Sequence, residues 1–179
     1  MGRVSAAAAV ALLALAAGPA RAEITETQLD QVAKSLQPQL ITWRRDFHQH
    51  PELSNSETRT AKIVADHLES LGIEVRTGVA HTGVVGVLRG GKSGPVVALR
   101  ADMDALPVTE MVDVPFKSTV TAEYRGQKVG VMHACGHDSH TAILMATATA
   151  LASMRDDLPG TVMFVFQPAE EGTPDGTRG

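Results

Sequence analysis

Two short runs, Val96 to Leu99 and Thr161 to Phe166, set the tightest limits on how this chain can fold. Each is nearly all apolar and each follows a proline and glycine turn signal, Gly94-Pro95 in one case and Leu158-Pro159-Gly160 in the other. Runs of this kind read as strands buried on both faces, in the middle of a sheet covered by helices. The neighbouring sequence supplies both partners. Ile73 to Val79 and Val84 to Leu88 are short β-branched segments punctuated by Gly83 and Gly90-Gly91, and they read as further strands. From Thr27 to Phe47 the residues Leu29, Val32, Leu36, Leu40, Ile41 and Trp43 recur at helical steps. Pro38 interrupts them, which predicts a break or a fresh amino-terminal turn there, followed by a helix carrying Arg44, Arg45, His48 and His50 that stops before Pro51. Ser54 and Glu57 have capping-box spacing, Ile63, Val64, Leu68 and Leu71 form an apolar stripe, and Gly72 suits the position just past a helix end. His67 lies at the border of that stripe as a half-exposed residue without a role. Thr141 to Met154 predicts a small-residue helix, and Pro107 to Val131 carries no period and predicts an irregular excursion. The fold class is therefore α/β, a mixed sheet flanked by helices.

The first 22 residues stand apart from this pattern. Arg3 supplies a positive start, Ala6 to Ala17 an apolar run too short to span a bilayer, and Ala20-Arg21-Ala22 a cleavage signal, so residues 1–22 read as a secretory signal peptide and Glu23 as the mature start. The expected location is periplasmic or secreted, with no membrane association after cleavage. A formal charge of -4 and the absence of a basic cluster give no attraction to nucleic acid. The single cysteine cannot form an internal disulfide, and in an oxidising compartment a free thiol needs burial or a metal to protect it.

That cysteine sits in Met132-His-Ala-Cys-Gly-His-Asp-Ser-His-Thr141, where Cys135, His137, Asp138 and His140 gather on a loop opening the third helix. The positive end of a helix favours thiolate, and a thiolate two residues from an imidazole can serve as a pair of metal ligands. An inert cysteine beside surface histidines fits the local pattern equally. The run Val96 to Leu99 leads into Asp102 and Asp104, and Thr161 to Phe166 leads into Glu170 and Glu171. Functional groups of open α/β sheets gather beyond the carboxyl ends of strands, so all four carboxylates are candidate site residues. Adjacent glutamates point in different directions, which lets one bind a cation while the other stays free as a base. A Cys–His hydrolase with Cys135 as nucleophile is the other chemistry these residues allow, although no oxyanion motif accompanies them.

The segments RRDFHQHPE (44–52), RADMDALPV (100–108), MHACGHDSHT (132–141) and FQPAEEG (166–172) together resemble the ordered signatures of the aminoacylase and glutamate carboxypeptidase family of two-metal peptidases, in its amidohydrolase branch. The resemblance implies a zinc-peptidase-like catalytic domain, Cys135, His137 and Glu171 as metal ligands, Glu170 as general base, and Asp104 as an aspartate that orients the site. Asp102, which stands where other branches place a histidine ligand, and Asp138 and His140 are candidates for holding those ligands in place. It further implies divalent metal ions, two in number and of the zinc, manganese, nickel or cobalt type. The implied substrate is a small N-acyl amino acid or peptide-like conjugate, and the implied assembly a homo-oligomer. Family members are longer, with further histidine ligands downstream and an inserted lid domain, so residues 23–179 are expected to be the amino-terminal part of such a domain. Its sheet would be incomplete on the carboxyl-terminal side, with little hydrolase activity alone. A truncated remnant that binds metal weakly is the competing expectation. His48 and His50, on or just after a helix, and His81, in a turn, carry no sign of reaching the strand ends.

Overall fold

The computed structural model describes residues 24–172; the signal-peptide segment lies outside them. Helix α1 (Glu26–Gln49) begins with a capping box in which Thr25 and Gln28 satisfy each other's backbone N–H groups. It runs unbroken through Pro38, against expectation. Pro38 and Lys34, whose carbonyl loses its usual partner, are both exposed to water, so the helix continues without burying an unpaired group. Helix α2 (Thr58–Ser70) is where the apolar stripe placed it, and Gly72, at φ 67°, closes it with paired bonds from Gly72 N to Glu69 O and from Ile73 N to Leu68 O. Its start is capped differently from the sequence expectation. Glu52 accepts the N–H groups of Arg59 and Thr60 at 2.9 and 2.8 Å, while Ser54 and Glu57 turn to other partners.

Strands β1 (Glu74–Val79), β2 (Gly83–Arg89), β3 (Lys92–Asp102) and the later β6 (Pro159–Gln167) form one mixed sheet in the order β1-β2-β6-β3. β1 and β2 form an antiparallel hairpin, β6 is antiparallel to β2, and β3 runs parallel to β6. A second hairpin, β4 (Thr121–Tyr124) and β5 (Gln127–Gly130), lies within the stretch expected to be irregular. Helix α3 (His137–Ser153) starts four residues earlier than the apolar pattern indicated, so the histidine cluster lies on its first turn.

The core lies between one sheet face and the helices: Val84, Leu88, Val162, Phe164 and Phe166 meet Val64, Leu68, Ala142 and Met145. Gly86 lets α2 approach closely, because a side chain there would come within 3.0 Å of Leu68 Cδ1. Helix α1 packs on α3, with Leu40, Trp43 and Phe47 against this core. His67 serves that packing, its Nε2 bonding Met145 O and Thr149 Oγ1 while Trp43 meets its ring edge-on.

Of the two apolar runs, only β6 lies inside the sheet, and it buries alternate residues fully while those between are half-exposed, so neither run is buried equally on both faces. β3 is an edge strand among the described residues, with Val96 66% and Val97 47% exposed, so the expectation of a doubly buried strand fails for it. An apolar run states what a strand could bury; its neighbours decide what it does bury. Among the described residues no helix is long and apolar enough to cross a membrane.

Candidate metal centre

The parallel pairing of β3 with β6 is what builds the site. It aligns Asp102 with Gln167, so the carboxyl ends of both strands emerge side by side. Thr141 Oγ1 donates to Asp102 O at 2.9 Å and draws the amino-terminal turn of α3 to the same place. Gly136, at φ 93°, turns the chain into that helix, leaving Cys135 just before it and His137 as its first residue.

Cys135, His137 and Glu171 each offer one ligand atom, and these atoms all lie within 4.8 Å of one another. His137 is 2% exposed, and its Nδ1–H donates to Asp104 O at 2.8 Å, which leaves Nε2 for the centre. Nε2 lies 3.7 Å from Glu171 Oε1, 3.9 Å from Glu170 Oε2 and 3.6 Å from Asp102 Oδ1. Burial alone would lower the His137 pKa, but the hydrogen bond to Asp104 and the charges of Asp102 and Asp104 outweigh it and raise it. The Cys135 thiol is pushed up by its hydrogen bond to Glu171, by desolvation and by the charges of Glu171, Asp102 and Glu170. The helix dipole was expected to favour thiolate; three nearby carboxylates reverse that. A thiol, an imidazole and a carboxylate converging amid excess negative charge form a donor set that suits a divalent cation of the zinc type.

Asp104 is the organiser. It is 1% exposed and accepts Ser54 Oγ–H at 2.7 Å, Glu171 N–H at 3.0 Å and Glu170 N–H at 3.1 Å. Burial would raise its pKa, yet its bonds to His137, Ser54 and the two backbone amides hold it below the ordinary aspartate value. Asp102 Oδ1 meets His140 Nδ1 at 2.7 Å, and the His140 ring stacks on His137, so both stand beside the centre. Asp138 does not hold a ligand. Its Oδ2 meets His48 Nδ1 at 2.7 Å and Arg44 Nε at 2.9 Å, and its Oδ1 accepts Ser139 N–H, so it ties α3 to α1.

Several buried polar residues escaped the sequence reading. His48 is 4% exposed and bridges Asp138 and Glu110, which in turn accepts Ser118 N–H. Its place beside Phe47 on a helix gave no cue. Glu57 did leave a signal, for it continues the α2 apolar stripe through Ala61, Val64 and Leu68, where a carboxylate is out of place. His133 shares the buried face of Val131 two residues earlier, a weaker period-two cue.

Neither ring nitrogen of His133 has a hydrogen-bond partner among the described residues, and its side chain is buried. Burial, opposed by the Asp138 charge and aided by those of His137 and His48, pushes its pKa from 6.5 to about 4. The unfolded chain therefore takes up this proton first as pH falls. The stability linked to His133 is complete above pH 6.5 and is lost between there and about 4, by up to about 3 kcal/mol. Urea unfolding of the metal-free protein from pH 7 downward should show this loss, and His133→Leu should flatten it; an unchanged slope in that variant would refute the assignment.

Sheet, helix placement and donor set together define a class, that of α/β domains with a candidate divalent-metal centre at the carboxyl ends of their strands. The family model for Peptidase family M20/M25/M40 matches residues 98–179. Thermostable carboxypeptidase 2 of Saccharolobus solfataricus is 50% identical over 145 residues, covering 80% of this chain and 35% of that protein. The N-acyl-L-amino acid amidohydrolase of Geobacillus stearothermophilus is 42% identical over 155 residues, covering 87% of this chain and 40% of that protein. Among solved structures, the Bacillus subtilis YXEP protein, a dinuclear metal binding peptidase of the M20 family, superposes with a TM-score of 0.68 at 47% identity, covering 77% of this chain and 37% of that one. The chain matches Peptidase family M20/M25/M40, in its amidohydrolase branch. It spans 35% to 40% of the length of these curated relatives.

Proposed function

We propose that this chain carries part of the catalytic site of a metal-dependent amidohydrolase that cleaves the amide of N-acyl amino acids or similar small conjugates. The observation that carries the reading is the Cys135, His137 and Glu171 donor set with the Glu170 carboxylate beside it. These three residues would hold a divalent ion, and the dinuclear centre of the YXEP relative supports a second one nearby. When bound, such an ion supplies Lewis acidity toward an amide carbonyl and toward water. Glu170 is outside the ligand cluster, partly open to solvent, and free to take a proton from water at Oε2 and return it to the leaving amine. Asp104 fixes the backbone of both glutamates and the orientation of His137, so base and ligand keep a constant spacing. Cys135 acts in this scheme as a ligand; the carboxylates around it disfavour the free thiolate that a nucleophile requires. The similarity to both a carboxypeptidase and an N-acyl-amino-acid amidohydrolase supports small amide substrates without choosing the acyl group. Export to the periplasm or medium, with cleavage after Ala22, and assembly as a homo-oligomer complete the proposal.

The test is turnover by the purified full-length protein on a panel of N-acyl amino acids. A chelator should abolish release of the free amino acid, and zinc, manganese, cobalt or nickel should restore it. Turnover that persists in the metal-free protein would sink the reading.

A further inference from the structure

Three successive backbone N–H groups, those of Ala169, Glu170 and Glu171, each end on a carboxylate oxygen. Asp104 takes the second and third, and Glu57 Oε1 takes the first at 2.9 Å. Glu57 belongs to a different element, just ahead of α2, and is 0% exposed. Its other oxygen accepts the Thr82 hydroxyl, so both oxygens are engaged by neutral donors in a site where burial raises the carboxyl pKa. Ala169 is itself unusual. It is fully buried and sits at φ 50°, in the left-handed region that side chains other than glycine avoid unless their surroundings hold them there. Relaxation of Ala169 out of that conformation would swing the next residue, which is Glu170.

We propose that Glu57 is a positioning residue for the reaction: by holding the Ala169 N–H it keeps the turn after β6 in its left-handed conformation and thereby aims the Glu170 carboxylate. The chemical consequence rests on the amidohydrolase reading above. What matters at Glu57 is an acceptor oxygen at the right reach rather than a negative charge, since no cation faces either oxygen in the bonds described.

The experiment compares Glu57→Gln with Glu57→Asp in the full-length, metal-loaded protein. Glutamine keeps the reach and an acceptor oxygen, and its turnover should stay within about threefold of the unsubstituted protein. Aspartate keeps the charge but is one methylene short; kcat should fall at least about tenfold, with KM changed by less than about threefold and metal content unchanged. Hydrogen exchange at the Ala169 and Glu170 amides should accelerate in Glu57→Asp and not in Glu57→Gln. Unchanged kcat and exchange in Glu57→Asp would overturn the proposal outright, and together with a loss in Glu57→Gln would mean that charge matters and position does not. Should Glu57→Asp fail to fold, Thr82→Val removes the hydroxyl that aims Glu57 and reads the same device at smaller amplitude; unchanged exchange at Ala169 in that variant then overturns it. Amide exchange reports the positioning whether or not the protein hydrolyses amides. An unsubstituted protein without metal-dependent turnover therefore sinks only the functional reading, and unchanged exchange sinks only this one.

Discussion

Glu170→Gln in the full-length protein is expected to lower turnover by roughly 10²- to 10⁴-fold while leaving metal content unchanged. Glu171→Gln should lower both. The two side chains lie almost equally far from His137 Nε2, at 3.9 and 3.7 Å, so proximity to that ring does not separate them. What separates them is Cys135: Glu171 shares a cluster with Cys135 and His137, its ligand atom within 4.8 Å of theirs, and Glu170 does not belong to it. Glutamine in place of Glu170 cannot take a proton yet preserves shape and the backbone bond to Asp104. Glutamine in place of Glu171 removes a charged donor from a three-donor set, and a neutral amide oxygen is a poorer ligand for a divalent ion. Elemental analysis of both purified variants beside their kcat values checks the division. Equal metal content and equal residual turnover would remove it.

The second large effect belongs to Asp104. Asp104→Ala strips partners from Ser54 Oγ, Glu170 N and Glu171 N together and takes away the carboxylate 3.3 Å from His137 Nδ1. Buried donors left unsatisfied cost about 1–3 kcal/mol each, so an unfolding free-energy loss of about 3–5 kcal/mol is expected in urea titrations. Metal affinity should also fall, by about 10- to 100-fold, because the partner that orients ligands is gone. Asp104→Asn keeps one acceptor oxygen but aims an amide N–H₂ at another donor, and should fall between the two proteins in both measurements. A loss below about 1 kcal/mol in Asp104→Ala would show that water replaces the carboxylate, and that its hold on the glutamate turn is dispensable.

The sequence made the ends of β3 and β6 and the start of α3 legible as the place where functional groups gather, because an apolar run followed abruptly by acids marks the end of a strand, whether or not that strand is buried. It could not reveal that β3 and β6 pair directly and in parallel. Pairing is a long-range property, and the same apolar run fits an edge or a centre; hence β3 was misplaced. Pro38 misled for a related reason: its cost depends on whether the freed carbonyl meets water, and that is settled by the side of α1 that faces α3. Ser54 illustrates a third limit. Its spacing to Glu57 matches a capping box, yet a buried carboxylate fifty residues later, Asp104, competes for the hydroxyl at 2.7 Å and wins. Buried polar residues such as His48 and Glu110 owe their partners to tertiary packing, so local pattern alone reads them as ordinary surface residues.

The central position of β6 also sets an order of events. Val84 pairs with Phe166 and Val97 with Val162, so the inner strand that joins β2 to β3 is the last element made by the ribosome among those described. Until it emerges, the β1–β2 hairpin and β3 wait with unsatisfied edges on either side of an empty slot, for several seconds at roughly 5–20 residues per second. Contacts this distant along the chain slow folding and prolong exposure to neighbours. The waiting edges, rather than the finished sheet, are where the nascent chain is most in need of a chaperone.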